Sequence, residues 1–199
     1  MDEPASGAPL LEFLEVMRRL RAECSWKAGQ THRSLARYLL EETHETLEAI
    51  DTGDADHLRE ELGDLLLQVY FHAVIAEEAG EFTIDDVAAD ITAKMHRRNP
   101  HVFGSAPGGS PEQVNEAWEA IKATEKRRTS VTDGLPPGLP ALLYADKVLD
   151  RLERAGGVPD VAPTDDLGNR LLALVTEAHE RGIDPEQALR DAVRGLLGA

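Results

Sequence analysis

The stretch EETHETLEAIDTGDADHLREELGD, residues 41–64, determines how this chain folds. It contains two carboxylate pairs, Glu42 with Glu45 and Glu61 with Asp64, placed symmetrically about Gly53. Each pair is spaced i, i+3, so in a helix its two carboxylates share one face. The symmetry predicts an antiparallel helical hairpin, in which residues at equal distance from the turn lie level with each other.

The turn of this hairpin is predicted at residues 51–54, Asp-Thr-Gly-Asp. Glu45 then lies level with Glu61, and Glu42 with Asp64. Packed helices lie roughly 8–10 Å apart, so four carboxylates that meet across the gap repel one another unless a cation lies between them. Carboxylate oxygens suit Mg²⁺, and Mn²⁺ is also possible. The spacing therefore predicts a divalent metal site.

Acidic pairs at this spacing are also common on solvated helix faces, and this is the competing interpretation of each pair. The residues that follow Glu61 are apolar almost all round, which is typical of a helix buried in a bundle. They are Leu62, Leu65, Leu66, Leu67, Val69, Tyr70, Phe71, Val74 and Ile75. Carboxylates at the entry to such a helix need partners or a metal, and only His57 and Arg59 offer basic partners in this arm. A metal site is therefore favoured.

Composition excludes several classes of partner and location. The chain has 199 residues, is 42% hydrophobic and carries a net charge of −16, so it builds a core but repels nucleic acid and anionic membranes. A metal-bridged small polyanion remains compatible with this charge. The single cysteine, Cys24, precludes an internal disulfide and fits a reducing compartment. The start of the chain resembles no signal peptide, and no run approaches a membrane span of roughly 20 apolar residues. We expect a cytoplasmic protein.

Helical periodicity and capping signals cover most of the chain, and no alternating strand pattern appears. The predicted helices are Leu10 to Leu20, Thr31 or His32 to about Ile50, Asp54 to about Ala79, Thr83 to about Arg98, and Pro111 to about Arg128. A loop that carries Cys24 and Trp26 separates the first two. The predicted class is all-α, a helical bundle built on the hairpin. Because its second arm is apolar on several faces, a partner surface is also expected.

Three basic residues, Lys94, Arg97 and Arg98, fall in the last turn of the fourth predicted helix. Basic residues there are favoured by the helix dipole, which is the competing explanation. Three of them together in so acidic a chain indicate an anion site. A metal centre with nearby Lys and Arg is a common arrangement for holding a polyphosphate.

These motifs together resemble the MazG nucleoside triphosphate pyrophosphohydrolases, which belong to the all-α NTP pyrophosphatase superfamily. The matching segments are EETHE (41–45) with ELGD (61–64), KMHRR (94–98), NPHVF (99–103) and CSWKAGQTH (24–32). They occur in the family's order and cover about residues 10 to 104. Ser25 and Lys27 depart from the family's CPWD sequence and affect the expected nucleotide pocket.

The resemblance implies roles for individual residues and a reaction. Glu42, Glu45, Glu61 and Asp64 would bind Mg²⁺, and Glu41 would polarise the attacking water or reach another metal ion through water. Lys94 and Arg98, with Arg97, would hold phosphate oxygens. Trp26, Gln30 and His32 would enclose base or ribose, unless Trp26 is a core aromatic. In the implied reaction, water attacks the α-phosphorus of a nucleoside triphosphate and yields monophosphate and pyrophosphate. Removal of non-canonical nucleotides would be one use of this reaction. The resemblance also implies a homodimer.

A second, weaker repeat lies in the C-terminal half. Residues 166–175, DLGNRLLALV, align with 61–70, ELGDLLLQVY, at an offset of 105. We interpret 1–104 as the catalytic domain, 105–140 as a linker and connecting helix, and 141–199 as a degenerate second MazG-like region. It lacks the other motifs, so we expect it to bind no catalytic metal and to serve packing or oligomerisation.

Two other classes of protein compete with this interpretation. A ferritin-like di-metal oxidase would use the ExxH step of Glu41 and His44, but it needs a second such step on another helix. His72 does not supply one, because Val69 precedes it by three residues. A non-catalytic regulator that binds nucleotides through an idle metal site remains the alternative.

Overall fold

The structure, a computed structural model, describes residues 7–125, 130–157 and 166–198. Within these ranges every regular element is a helix, which confirms the all-α prediction. The chain divides into two compact units, Met1–Trp118 and Glu119–Ala199. The finer division into domains at residues 104 and 140 stays a prediction.

Ten helices form the described part of the chain. They are α1 (Ala8–Glu23), α2 (Ser25–Ala28), α3 (His32–Thr52), α4 (Ala55–Ala79), α5 (Ile84–Arg98), α6 (Pro100–Phe103), α7 (Pro111–Glu125), α8 (Ala141–Ala155), α9 (Leu167–Glu180) and α10 (Pro185–Leu197). The predicted loop around Cys24 and Trp26 therefore contains a one-turn helix, α2. The predicted helix end near Arg128 lies outside the described residues.

Local capping groups set the ends of the hairpin helices. Thr31 caps α3 in a reciprocal capping box with Ser34, and the Asp54 side chain accepts hydrogen bonds from the first backbone N–H groups of α4. Gly53 ends α3 in the left-handed conformation, with φ 71°. The turn is shorter than the predicted 51–54, because α3 continues through Thr52 and leaves only Gly53 and Asp54 between the helices.

The core of the first unit lies between α1, α3 and α4. Its buried apolar side chains are Leu14, Met17, Leu35, Tyr70, Phe71 and Val74, with Phe13, Leu20, Tyr38, Leu66, Leu67, Ile75 and Ile84 packed around them. Because α1 and α3 both pack against α4, the rotation of α4 about its own axis is set by the core. The same packing orients the face of α4 that carries Glu61 and Asp64.

The second unit packs α8, α9 and α10 against one another, with Leu149 and Val175 buried between them. Asp166, the counterpart of Glu61 in the proposed repeat, stands before α9 as its N-cap and accepts a hydrogen bond from the Asn169 backbone N–H at 2.9 Å. Glu61 instead lies inside α4. The Asp166 carboxylate is thus engaged in helix capping.

A histidine joins two carboxylates in this unit. His179 Nδ1 lies 2.8 Å from an Asp146 carboxylate oxygen, and its Nε2 lies 3.4 Å from one of Glu153. Burial alone would lower the pKa of His179, but the hydrogen bonds to the two carboxylates outweigh burial and raise the pKa above its ordinary value. The pair of α8 and α9 is therefore held partly by an imidazole that keeps its proton to higher pH than an ordinary histidine.

This contact makes the stability of the second unit depend on pH. A histidine whose folded pKa is raised stabilises the fold fully below its unfolded pKa of about 6.5, and this stabilisation is lost as the pH rises through the folded pKa. We expect His179→Asn to lower the free energy of unfolding by roughly 1 kcal/mol near pH 5.5 and by less near pH 9, measured by urea unfolding. In an Asp146→Asn background, the loss of unfolding free energy caused by His179→Asn should differ less between about pH 5.5 and about pH 9. A larger loss at the higher pH would contradict the assignment.

Candidate metal centre

Three carboxylates converge where the two arms of the hairpin meet. Glu42 and Glu45 on α3 and Glu61 on α4 each place one carboxylate oxygen so that the three oxygens lie within 4.8 Å of one another. Glu42 and Glu61 are half-buried, whereas Glu45 is exposed. We call these three residues the carboxylate cluster, and it is open to solvent on the Glu45 side.

Asp64, the fourth predicted ligand, is not one of the three converging residues. It is half-buried on α4, and its negative charge acts on Glu42. The structure therefore brings three of the predicted ligands together and leaves Asp64 beside them, within electrostatic reach of Glu42.

The electrostatics of the cluster favour a bound cation. Burial, followed by the negative charges of Asp64 and Glu45, raises the pKa of Glu42 above its ordinary range. His57 Nε2 lies 3.2 Å from a Glu61 carboxylate oxygen, while Arg59 pairs with Asp56 at 2.8 Å. A half-buried carboxylate whose pKa is raised by burial and by neighbouring negative charges fits a hard divalent cation, which would relieve the repulsion.

Gln68 is a neighbour of the cluster that the sequence motifs did not single out. It is 4% exposed, and its Nε2 lies 3.5 Å from Glu42 Oε1 as a long hydrogen bond. Its own Oε1 is buried without a hydrogen-bond partner among the described residues. The sequence signal for Gln68 is that it is a single polar residue within an apolar helical run, one turn after Asp64.

The predicted phosphate-binding residues lie at the end of α5, which packs against α4. Lys94 and Arg98 are half-buried and Arg97 is exposed. The Arg98 guanidinium carbon lies 5.2 Å from the centre of the Trp118 ring, in cation–π geometry. This contact orients the Arg98 side chain.

Trp26, on α2, is 52% exposed, so it is not the core aromatic considered as the alternative. Its ring meets Tyr38 edge to face at 6.2 Å, and Lys27 Nζ lies 5.4 Å from the indole centre. Tyr38 precedes Glu42 by one helical turn on the same face of α3. Trp26 therefore presents an exposed aromatic surface beside Tyr38, which itself lies one helical turn before Glu42.

Gln30 and His32 make their contacts within the protein. Gln30 Nε2 donates to the Trp26 carbonyl at 3.1 Å, and Gln30 Oε1 accepts from Ser34 Oγ at 2.7 Å. His32 stacks on His72 of α4, with Nδ1 atoms 2.7 Å apart. Burial, and then the neighbouring His32, lowers the pKa of His72. Both predicted binding residues thus tie the start of α3 to its surroundings.

The fold and the acidic centre together define an all-α, hairpin-based class of protein, and comparison with known proteins identifies the family. A family model of the MazG nucleotide pyrophosphohydrolase domain matches residues 30–103, which include α3, α4, α5 and the whole carboxylate cluster.

Curated relatives extend the match over nearly the whole chain. A nucleoside triphosphate pyrophosphohydrolase/pyrophosphatase MazG of Thermotoga maritima is 39% identical over 96% of this chain and 84% of its own length. An uncharacterised 26.1 kDa protein of Streptomyces cacaoi is 47% identical over 96% of this chain and 84% of its own length. This chain belongs to the MazG family, whose members are hydrolases, as the motifs predicted.

Other relatives are longer than this chain. A nucleoside triphosphate pyrophosphohydrolase of Mycobacterium tuberculosis is 43% identical over 96% of this chain, which spans 57% of that protein's length.

In the part of the chain that the structure describes, no helix is both long and apolar enough to cross a bilayer.

Proposed function

We propose that this chain hydrolyses nucleoside triphosphates at the α-phosphorus, with Mg²⁺, to nucleoside monophosphate and pyrophosphate. The observation that carries the proposal is the carboxylate cluster, with three carboxylate oxygens within 4.8 Å of one another on the two arms of the hairpin. Its position inside the MazG domain match supports it, and so do the names of the relatives from Thermotoga and Mycobacterium.

The positions of the acidic residues support the following roles. Glu42, Glu45 and Glu61 would hold the cation, and Asp64 would complete the set. A bound divalent cation would neutralise the polyphosphate and lower the pKa of the attacking water. Glu41 is exposed beside Glu42 and would accept the proton of that water. Gln68 would hold the Glu42 carboxylate in place through its amide.

The remaining predicted residues would bind the two ends of the substrate. Lys94 and Arg98, with Arg97, supply positive charge for phosphate oxygens. Trp26 offers a half-exposed indole face on which a base can stack, and stacking accepts every base because each has a π-face. Such tolerance supports a role in removing non-canonical nucleotides. Gln30 and His32 would act by positioning Trp26 and the start of α3.

Product analysis tests this function. ATP and dCTP are incubated with the protein in Mg²⁺ and, as a control, in EDTA, and the products are separated by ion-exchange chromatography. We expect monophosphate and pyrophosphate in Mg²⁺ and neither in EDTA. Diphosphate and orthophosphate would overturn the point of attack. Nucleotide binding in Mg²⁺ without turnover would support the non-catalytic regulator instead.

We also propose that a second copy of this chain covers the outer face of the hairpin. Large apolar side chains lie exposed there on both arms, namely Leu40, Leu47, Ile50, Leu62 and Val69. Covering such a patch stabilises an assembly in proportion to the apolar area removed from water. Light scattering at working concentration should give the mass of a dimer, and a clean monomer would contradict the proposal.

A further inference from the structure

Arg21, near the end of α1, binds the backbone of the segment between α1 and α3. Its Nη1 donates to the carbonyl oxygens of Lys27, Ala28 and Gln30, the last two at 3.1 Å. The Arg21 side chain is only 9% exposed. A nearly buried guanidinium therefore lies against three backbone carbonyl groups within the four residues 27–30 rather than in solvent.

The other edge of the same guanidinium binds α4. Arg21 Nε and Nη2 both donate to the Glu78 carboxylate, the former at 3.0 Å. The guanidinium carbon also lies 6.0 Å from the centre of the Phe71 ring. Arg21 thus links the segment 27–30 to Glu78 on α4, a residue 57 positions after Arg21 in the chain.

The Lys27 and Ala28 carbonyl groups lie in the last turn of α2, and the Gln30 carbonyl lies just beyond it. A helix of one turn, such as α2, leaves its last carbonyl groups without partners inside the helix. A cation at a helix C-terminus also interacts favourably with the helix dipole. The Lys27 carbonyl also accepts from the Gln30 backbone N–H at 3.1 Å, and α2 also packs against α1. Without the Arg21 guanidinium, the Ala28 and Gln30 carbonyl groups would lose this donor and α2 would be held less firmly.

The segment that Arg21 holds carries the exposed indole of Trp26. Gln30 extends the link, because its amide donates to the Trp26 carbonyl and accepts from Ser34 Oγ at the start of α3. One chain of hydrogen bonds therefore connects Glu78 on α4, through Arg21 and Gln30, to Ser34 on α3. Both hairpin arms are tied in this way to the segment that presents Trp26.

We propose that Arg21 is a positioning residue for nucleotide binding. It holds the segment that carries Trp26 in a fixed position relative to the carboxylate cluster. The inference rests on the proposed function, since it assumes that Trp26 receives the nucleotide base. Because its guanidinium is engaged with Glu78 and the backbone of residues 27–30, Arg21 would touch neither the base nor the phosphates. Its contribution is to substrate affinity, because a segment held in its bound position loses less conformational freedom when the nucleotide binds.

Arg18 provides a matched control. It lies one turn before Arg21 on α1 and pairs with Glu77 at 2.6 Å, next to Glu78 on α4. The Arg18 guanidinium donates to the carboxylates of Glu77 and Glu15. Arg18→Gln therefore removes an α1–α4 ion pair of the same kind without loosening the Trp26 segment.

The experiment compares Arg21→Gln, Arg21→Lys and Arg18→Gln with the wild type, in steady-state kinetics with ATP and Mg²⁺ and in hydrogen exchange of the amides of residues 25–31. We expect Arg21→Gln to raise KM about tenfold or more with kcat within about threefold, the pattern of lost uniform binding. Amides 25–31 should exchange about tenfold faster or more. Arg18→Gln should change neither quantity by more than about twofold.

Arg21→Lys separates charge from geometry and replaces Arg21→Gln if that variant does not fold. A lysine keeps the positive charge but cannot span three carbonyl groups and a carboxylate at once, so an intermediate rise in KM is expected. Equal KM values for the Arg21 and Arg18 variants, or a loss confined to kcat, would overturn the proposal. If the wild type neither binds nor hydrolyses nucleotide, the proposed function has failed, and the exchange comparison still decides whether Arg21 anchors the segment.

Discussion

Replacing Glu61 with glutamine should lower kcat/KM for ATP by roughly 10²-fold or more. Even the loss of a residue that only supports a metal ligand typically lowers metal affinity or activity about 10–100-fold. Glu61 is the sole contribution of α4 to the three converging carboxylates. The substitution keeps the size of the side chain and removes its charge, so the fold should be retained. Mn²⁺ affinity, measured by the paramagnetic broadening of water relaxation, should fall in parallel.

Glu60→Gln is the matched control for this prediction. Glu60 precedes Glu61 on the same helix and is exposed, and it is not among the converging carboxylates. Because adjacent helical residues point in different directions, Glu60→Gln should leave kcat/KM within about threefold of the wild type. Full activity of Glu61→Gln, or equal losses in the two variants, would show that the cluster is not the catalytic metal site.

The second large effect is expected in the core of the first unit. Leu35 is 1% exposed and packs between α1 and α4 within the buried cluster. Leu35→Ala removes buried methyl and methylene groups and leaves a cavity, so the free energy of unfolding should fall by about 2–5 kcal/mol. Urea unfolding followed by far-ultraviolet circular dichroism measures the loss.

Leu11→Ala serves as its control, because it makes the same chemical change at a side chain that is 66% exposed on α1. The two substitutions share the same difference in helix propensity, so only burial differs between them. Leu11→Ala should change the free energy of unfolding by no more than about 0.5 kcal/mol. Equal losses in the two variants would mean that the core does not lie between α1, α3 and α4.

The helix boundaries were predictable because they depend on residues within one turn of each other. Thr31 and Asp54 cap the backbone groups that immediately follow them, and Gly80 ends α4 with φ 71°. These interactions are local in the chain, and their residue types are specific to helix ends. The hairpin follows from the same signals.

Two predictions about the segments between helices were wrong because the local residue types did not settle their conformation. The turn after α3 is shorter than predicted, because Asp51 and Thr52 suit a turn but continue the helix up to Gly53. The segment around Trp26 contains α2 rather than only a loop. A helix of one turn is unstable by itself, so α2 relies on tertiary contacts, among them its packing against α1 and the hydrogen bonds from Arg21. No local pattern indicates the contact of Arg21 with Glu78.

For the candidate site, residue type and spacing pointed to the carboxylates but not to the groups that support them. Glu42, Glu45 and Glu61 were identifiable from the symmetry of their positions. Gln68 was missed because one polar residue in an apolar run has several explanations. The placement of Lys94 and Arg98 against phosphate stays a prediction.

By itself the sequence determined the helices, the hairpin, the family and the identity of the acidic residues, because each of these depends on residues close together in the chain or on the order of motifs. Only the tertiary structure decided that three carboxylate oxygens lie within 4.8 Å of one another. It also decided that the pKa of Glu42 is raised and that Arg21 joins α2 to α4. These properties depend on how helices far apart in the chain pack together, and packing sets distance and burial, which no local pattern encodes.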